Sequence, residues 1–210
     1  IIQDSCHSPG GSFKDSKNKI QKCGNGNFAD LSIFSFHPVK HIATGEGGMI
    51  TTNNKKLYRR LLNLRSHGIT KSSSNFLNSI KDSGGINNYP KWYMEMQELG
   101  FNYRLTDFQA ALGRSQLKRA KLGVESRREI AKIYFDEFKN KDYIIKMSKL
   151  TSGHAYHLFI IQVKDRLNLY NYLRDNGIYT QIHYFPCHLM PYYKKLGWKK
   201  NDMPFSEEYY

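Results

Sequence analysis

The chain has 210 residues, of which 40% are hydrophobic and 14% aromatic, and this much buriable surface excludes a disordered polypeptide. No apolar run approaches the roughly 18 residues that span a membrane, and three cysteines without a CxxC spacing argue against a disulfide scaffold and indicate a reducing, cytoplasmic setting. The net charge of +14 is spread along the chain, which is explained by a solvated basic surface or by binding of nucleic acid or an anionic small molecule. No nucleic-acid-binding module is present, so binding to nucleic acid is not expected.

The first 65 residues predict three short strands and a helix. Strand-like patterns cover residues 1–3, 31–36 and 49–52. The glycine- and proline-containing stretch 8–29 predicts a loop with at most a short hairpin. Asn53 and Asn54 are cap candidates for a helix that continues through about residue 65, because its leucines recur on one face.

The rest of the chain predicts alternating helices and strands. A polar, glycine-containing loop covers 70–90, and Thr106 with Gln109 has the capping-box spacing at the start of a helix. Helices are predicted over 106–119, 122–139 and 188–197 and around Leu169–Leu173, and strands over 155–163 and 178–184. This alternation predicts an α/β fold with a first domain over 1–120 and a smaller α+β domain over 121–210.

Lys40 is the first candidate catalytic residue. It follows a predicted strand end, in a loop that Pro38 makes rigid. Such a place suits a Schiff-base lysine, whose amine must reach an aldehyde and lose its proton near neutral pH. From the residues alone, an ordinary loop lysine is the competing interpretation.

Asp4 and His7 form a second candidate pair, at the end of the first predicted strand. An enzyme that uses pyridoxal 5'-phosphate (PLP) needs a carboxylate for the pyridinium nitrogen and a flat group against the ring, and these side chains meet both needs. Taken alone, Asp4 is interpreted as a turn residue and His7 as a loop histidine. Cys6-His7 and Cys187-His188 suggest a metal site, but neither a CxxC nor an HxxxH spacing accompanies them, so no metal is predicted.

Separated blocks of the sequence resemble the DegT/DnrJ/EryC1/StrS family of sugar aminotransferases. Residues 35–48, Ser-Phe-His-Pro-Val-Lys-His-Ile-Ala-Thr-Gly-Glu-Gly-Gly, resemble its cofactor-lysine motif, and residues 3–7, Gln-Asp-Ser-Cys-His, resemble its Glu-Asp-x-x-His segment. Residues 100–111 are similar to its Gly-x-Asn-x-Arg-x-Thr-Asp-x-Gln-Ala-Ala block, and further matches lie at 65–68, 154–158 and 181–184. The resemblance implies a fold-type I PLP-dependent transferase, here a partial large domain with a mainly parallel sheet and a truncated small domain.

The resemblance also implies a cofactor role for each matching residue. Lys40 would bind PLP as a Schiff base and shuttle the proton. Asp4 would pair with the pyridinium nitrogen, and His7 would stack on the ring. Ser35 would hydrogen-bond the cofactor phosphate, and Asn102 would reach the phosphate of the neighbouring subunit in a homodimer.

The substrates implied by the resemblance are glutamate and a nucleotide-linked 4-keto-6-deoxy sugar, with a UDP-sugar favoured. His183 and Tyr184 would line the sugar-nucleotide pocket. Some relatives carry histidine in place of the cofactor lysine and dehydrate the sugar instead, and Lys40 argues against that branch.

Members of the family are longer than this chain, and their first half contributes early strands of the large domain and a turn that cradles the cofactor phosphate. We therefore expect the C-terminal part of such an enzyme, a segment that is poorly soluble alone or pairs with whatever supplies the missing half. The alternatives are an inactive fragment from a split or truncated gene and a basic nucleic-acid-binding protein.

Overall fold

A computed structural model describes all 210 residues, from Ile1 to Tyr210. Its contacts divide the chain into two compact units. The first unit comprises residues 1–141 and 147–161, and the second comprises 142–146 and 162–210. The chain therefore passes between the units three times, which a division at a single boundary does not describe.

The structure contains nine strands and five α-helices. The strands are β1 (Ile2–Asp4), β2 (Ser12–Lys14), β3 (Ile20–Lys22), β4 (Leu31–Ser35), β5 (Gly48–Thr51), β6 (Ile69–Thr70), β7 (Glu95–Met96), β8 (Ile144–Met147) and β9 (Ile161–Val163). The helices are α1 (Lys55–Arg65), α2 (Asp107–Phe138), α3 (Arg166–Asp175), α4 (Pro191–Lys195) and α5 (Pro204–Tyr209), with 3₁₀ turns at Ser73–Asn75 and Cys187–Leu189. Membrane crossing needs a long apolar helix, and none of these helices is one.

The largest sheet has three strands in the order β1–β4–β5. Strands β1 and β4 are parallel, with Asp4 opposite Ile33, whereas β4 and β5 are antiparallel, with Ser35 opposite Gly48. The sheet is thus mixed and not mainly parallel as predicted. The reason is the β4–β5 connection, residues 36–47, which contains no crossover helix and can only return the chain in the opposite direction.

The strands, the hairpin and the helix cap predicted for the first 65 residues are confirmed. The strands lie within one residue of their predicted bounds, and the loop over 8–29 contains the antiparallel hairpin β2–β3. The side chain of Asn54 accepts hydrogen bonds from the backbone of Lys56 and Leu57 and so caps α1. Satisfying these otherwise unpaired N–H groups is what fixes the start of the helix.

Helix α2 replaces two predicted helices. The capping box of Thr106 and Gln109 is present, but the helix continues without a break to Phe138. No proline interrupts residues 120–122, and Gly123 is accommodated within the helix. The predicted domain boundary at residue 120 therefore falls inside a helix, where the chain shows no hinge.

Two strand predictions in the second half are corrected. Only Ile161–Val163 of the predicted strand 155–163 is a strand, because Tyr156 has a φ of +43°, which is incompatible with extended pairing. Residues 178–184 form no strand and add to neither edge of the two-stranded β8–β9 sheet. Helix α3, predicted around Leu169–Leu173, is present; Asn176 caps its C-terminal end, and Gly177 follows at a φ of +77°.

The buried core is small for a chain of this length. The buried apolar residues are Phe36, Val124, Ala131, Ala155 and Tyr156, all in the first unit. Ile1 is 82% exposed and Ile2 66% exposed, at the open edge of the three-stranded sheet. The chain exposes 16,238 Å², whereas two independently folded domains of these sizes would together expose about 12,000 Å². Much apolar surface is therefore exposed and does not pack against other residues of the chain.

Candidate active site

The candidate site begins where two parallel strands end. Asp4 is the last residue of β1, and Ser35 is the last residue of the neighbouring strand β4. Because β1 and β4 run in the same direction, their carboxyl ends reach the same edge of the sheet. This edge is where ligands bind in open α/β sheets. The fold therefore brings a carboxylate and a hydroxyl to one place.

The loop that follows β4 holds Lys40 in a closed turn. The backbone N–H of Phe36 donates to the carbonyl of Gly47 at 2.8 Å, and that of Thr44 donates to the carbonyl of Phe36 at 2.9 Å. Within the loop, the N–H of Lys40 donates to the carbonyl of His37 at 2.9 Å. The half-buried lysine is thus presented on a loop whose ends are fastened together.

The far end of the same loop is tied to helix α2. The side-chain amide of Gln109 donates to the carbonyl of Glu46 at 2.8 Å, and the hydroxyl of Thr44 donates to that carbonyl at 2.7 Å. Gly47 has a φ of +144°, and a Cβ there would lie 2.8 Å from a methyl of Leu105. Only glycine fits this close approach, so the loop and the start of α2 behave as one rigid element.

Lys40 and His7 meet directly. The Nζ atom of Lys40 lies 2.6 Å from Nε2 of His7. An ammonium group has donors only, so Nζ donates and Nε2 accepts, which leaves the His7 proton on Nδ1. The structure therefore brings together the predicted amine and the predicted stacking ring, from two loops 33 residues apart in sequence.

The surroundings of Asp4 favour its ionised form. The backbone N–H of Cys6 donates to its carboxylate at 3.0 Å, and this bond, the Cys6 side chain and the nearby His7 and Lys40 together lower the pKa of Asp4. The pKa of the Cys6 thiol is raised, mainly by burial and then by Asp4. The site thus holds a carboxylate next to an amine, while the thiol beside them stays protonated.

Two histidines that the sequence did not single out pack behind His7. The ring centroid of His157 lies 4.1 Å from that of His7, and the ring centroid of His41 lies 5.4 Å from that of His157. Burial lowers the pKa of His157 to about 4, and electrostatic interactions with His7, Lys40, His41 and Arg127 lower it further. Burial also lowers the pKa of His41, whose Nε2 donates to the carbonyl of Ala155 at 2.9 Å. Both rings are neutral at physiological pH.

Asn102 lies apart from this cluster. It pairs with Ser66 across an antiparallel bridge, within a ladder formed by residues 64–68 and 100–103. The ladder requires glycine at both Gly68 and Gly100, because a Cβ on either would collide with backbone atoms of the other segment. The exposed Asn102 side chain makes no hydrogen bond within the chain, so its amide is available to another molecule.

His183 and Tyr184 belong to the second unit. Their rings lie 4.4 Å apart, with His183 half-buried and Tyr184 exposed. No group of three or more His, Cys, Asp or Glu side chains has an arrangement that could hold a metal ion. The groups that the first unit brings together at the ends of β1 and β4 are an amine, a carboxylate, a hydroxyl and imidazoles.

Comparison with known proteins agrees with this chemistry. The whole chain, residues 1–210, matches the DegT/DnrJ/EryC1/StrS aminotransferase family. It is 38% identical over 202 residues to the UDP-4-amino-4,6-dideoxy-N-acetyl-β-L-altrosamine transaminase of Campylobacter jejuni, which covers 93% of this chain and 47% of that protein. The chain spans about half the length of the curated relatives it matches.

Two solved structures share the architecture. PseC of Helicobacter pylori, an aminotransferase involved in the biosynthesis of pseudoaminic acid, aligns with a TM-score of 0.73 and 30% identity over 93% of this chain and 48% of its own. The PMP form of Spr1654, a sugar aminotransferase by its description, from Streptococcus pneumoniae, aligns with a TM-score of 0.79 and 26% identity over 100% of this chain and 51% of its own.

Proposed function

Because this chain belongs to the DegT/DnrJ/EryC1/StrS aminotransferase family, we propose that it is the C-terminal part of an enzyme that transfers an amino group from glutamate to a nucleotide-linked 4-keto-6-deoxy sugar. The family and its solved members have the α/β, fold-type I architecture of PLP-dependent aminotransferases, as predicted from the sequence. The relative from Campylobacter jejuni acts on a UDP-sugar by its name, which favours UDP as the nucleotide.

The single observation that carries the proposal is the contact between Lys40 and His7 at the ends of parallel strands. The Nζ–Nε2 distance is 2.6 Å, and Asp4 completes the set at the end of β1. An amine, an ionised carboxylate and a flat ring brought together in this way are the groups that bind a pyridinium aldehyde. The residues present therefore fit PLP.

The cofactor, when bound, supplies an electron sink for the carbon that gains or loses the amino group. Asp4 keeps the pyridinium nitrogen protonated, because its carboxylate has a lowered pKa and stays negative. His7 stacks on the ring. The hydroxyl of Ser35 accepts from the N–H of His37 at 3.3 Å, so its own proton remains to be donated to the phosphate.

Lys40 would hold the cofactor through Nζ and, once the substrate amine has displaced Nζ from it, the free amine would move a proton to and from the substrate carbon. His7 is within hydrogen-bond reach of Nζ and so holds the amine in position between these steps. The fastened loop of residues 36–47 fixes the backbone that carries Lys40. Rigid placement of this kind is what reduces the entropic barrier of each proton transfer.

Asn102 acts on the cofactor phosphate of a second subunit in a homodimer. Its unsatisfied, exposed amide on a glycine-constrained ladder supports this assignment. His183 and Tyr184 contact the nucleotide sugar, with the exposed phenol of Tyr184 as the donor. The apolar surface left exposed at the sheet edge supports the view that a longer polypeptide completes the fold.

The test is amino transfer by the full-length protein, with a UDP-linked 4-keto-6-deoxy sugar and glutamate, measured as 2-oxoglutarate release. Lys40→Ala and Lys40→Arg should each lose at least about 10³-fold in rate, because neither side chain can attach an aldehyde and shuttle a proton. Lys121→Ala is the matched control, since Lys121 is 88% exposed and should leave the rate unchanged. A folded full-length protein without activity would favour the inactive-remnant alternative.

A further inference from the structure

A second histidine packs directly behind His7. His157 lies against His7 with ring centroids 4.1 Å apart and an interplanar angle of 41°. At this separation the two imidazoles are in van der Waals contact, so the position of one limits the rotamers of the other.

The backbone that carries His157 is held in an unusual conformation. Tyr156 has a φ of +43°, which is unfavourable for a residue with a bulky side chain. Its hydroxyl accepts from the N–H of Thr151 at 2.7 Å and donates to the carbonyl of Lys149 at 3.0 Å. Strain of this kind persists only where surrounding contacts impose it.

Arg127 supplies further contacts from helix α2. Its Nη1 donates to the carbonyls of Tyr156 and His157, at 3.4 and 3.3 Å. One guanidinium therefore fastens both residues to the helix. The consequence is a fixed backbone under His157, aimed so that its ring covers His7.

The His157 ring is used as a flat, neutral surface. It makes no hydrogen bond within the chain, and its buried Nδ1 has no partner. Its pKa of about 4, lowered first by burial, keeps it uncharged beside Lys40 and His7. A charged ring there would repel the lysine ammonium.

We infer that His157 is a positioning residue, which packs against His7 and thereby holds Nε2 of His7 on Nζ of Lys40. The inference deepens the proposed function and rests on it for its catalytic meaning. The packing itself exists in the chain without any cofactor, so it can be tested independently of aminotransferase activity.

The experiment measures how fast diethyl pyrocarbonate modifies His7 in the full-length protein freed of PLP, by peptide mass spectrometry. The reagent attacks an unprotonated imidazole nitrogen, and Nε2 of His7 is covered by the Lys40 donor. Loss of that hydrogen bond should raise the rate about tenfold. We expect this rise in His157→Ala and, as the positive reference, in Lys40→Met.

His157→Phe is the matched variant, because it keeps a flat neutral ring and loses no hydrogen bond. It should retain the wild-type rate at His7. His188, which is buried and lies 2.8 Å from Glu207, reports unfolding of the second unit, and circular dichroism reports that of the first. An unchanged His7 rate in His157→Ala would overturn the inference. If His157→Ala unfolds, the inference is judged from His157→Phe alone. A wild-type modification rate at His7 in that variant supports the inference, and a tenfold rise of the rate in a folded His157→Phe overturns it.

Discussion

Gly100→Ala tests the ladder that carries Asn102. A Cβ at residue 100 would fall on the backbone N of Gly68, and it would have to move outward by about 1 Å to reach the shortest separation that real Cβ atoms show. Backbone atoms are on both sides of this contact, so no side-chain rotation relieves it. The two segments must therefore separate.

The separation removes three hydrogen bonds. The N–H of Phe101 donates to Leu64 at 2.7 Å, that of His67 to Phe101 at 2.8 Å and that of Tyr103 to Arg65 at 3.0 Å. At about 1 kcal/mol each, their loss costs about 3 kcal/mol. Alanine also lowers the conformational entropy of the unfolded chain, which stabilises the folded protein by about 0.5–1 kcal/mol. The net loss of about 2 kcal/mol lowers the melting temperature by about 4–8 °C for a chain of this length.

The assay is thermal unfolding followed by circular dichroism, and Gly123→Ala is the control. Gly123 lies in the interior of α2 with open space around its Cα, so alanine there should stabilise the helix by about 0.5–1 kcal/mol. The two glycine-to-alanine changes are thus expected to have opposite signs. A melting temperature for Gly100→Ala at or above the wild-type value would refute the steric reasoning.

Three further predictions concern the charge of Asp4, the ionisation of Glu95 and the behaviour of residues 1–210 by themselves. Asp4→Asn in the full-length enzyme should leave PLP bound but lower kcat by about 10² or more, because an amide cannot stabilise a protonated ring nitrogen; near-normal turnover would remove Asp4 from the site. Burial alone would raise the pKa of Glu95, but hydrogen bonds from two backbone amides and two side chains lower it to about 2. Its ionised form therefore stabilises the segment over 73–97 above pH about 4.5, and this contribution is lost as the pH falls toward 2. Protection factors of the amides in that segment, which are corrected for the intrinsic exchange rate at each pH, should fall over this range in the wild type and already be low at pH 6 in Glu95→Gln. Purified residues 1–210 should aggregate or self-associate on size exclusion and bind PLP weakly, whereas a stable monomer with cofactor absorbance and turnover would contradict the exposed-edge argument.

The parts of the fold that sequence could predict are those set by local chemistry. The side chains of Asn54 and Thr106 satisfy the first N–H groups of their helices, and that requirement is visible in a few residues. The strand ends at Asp4 and Ser35 follow from short alternating runs. The motif that contains Lys40 could be recognised because its residues are contiguous.

The parts that could not be predicted depend on contacts far apart in sequence. The backbone of Tyr156 leaves the extended region because Arg127 and residues 149–151 form hydrogen bonds with this residue. The sequence around Tyr156 does not indicate these bonds. His157 and His7 are 150 residues apart in sequence, and the same contacts bring their rings together. Residues 178–184 have a strand-like pattern, yet they pair with none of the strands, and pairing depends on residues distant in sequence.

The central claim, that Lys40 is the residue which attaches PLP, has one direct test. The full-length protein is incubated with PLP, reduced with borohydride, digested and examined by mass spectrometry for a pyridoxyl group. The account predicts the pyridoxyl group on the peptide that contains Lys40, and its absence from that peptide in Lys40→Ala. A pyridoxyl group on another lysine, or none on a folded full-length protein, would contradict the account.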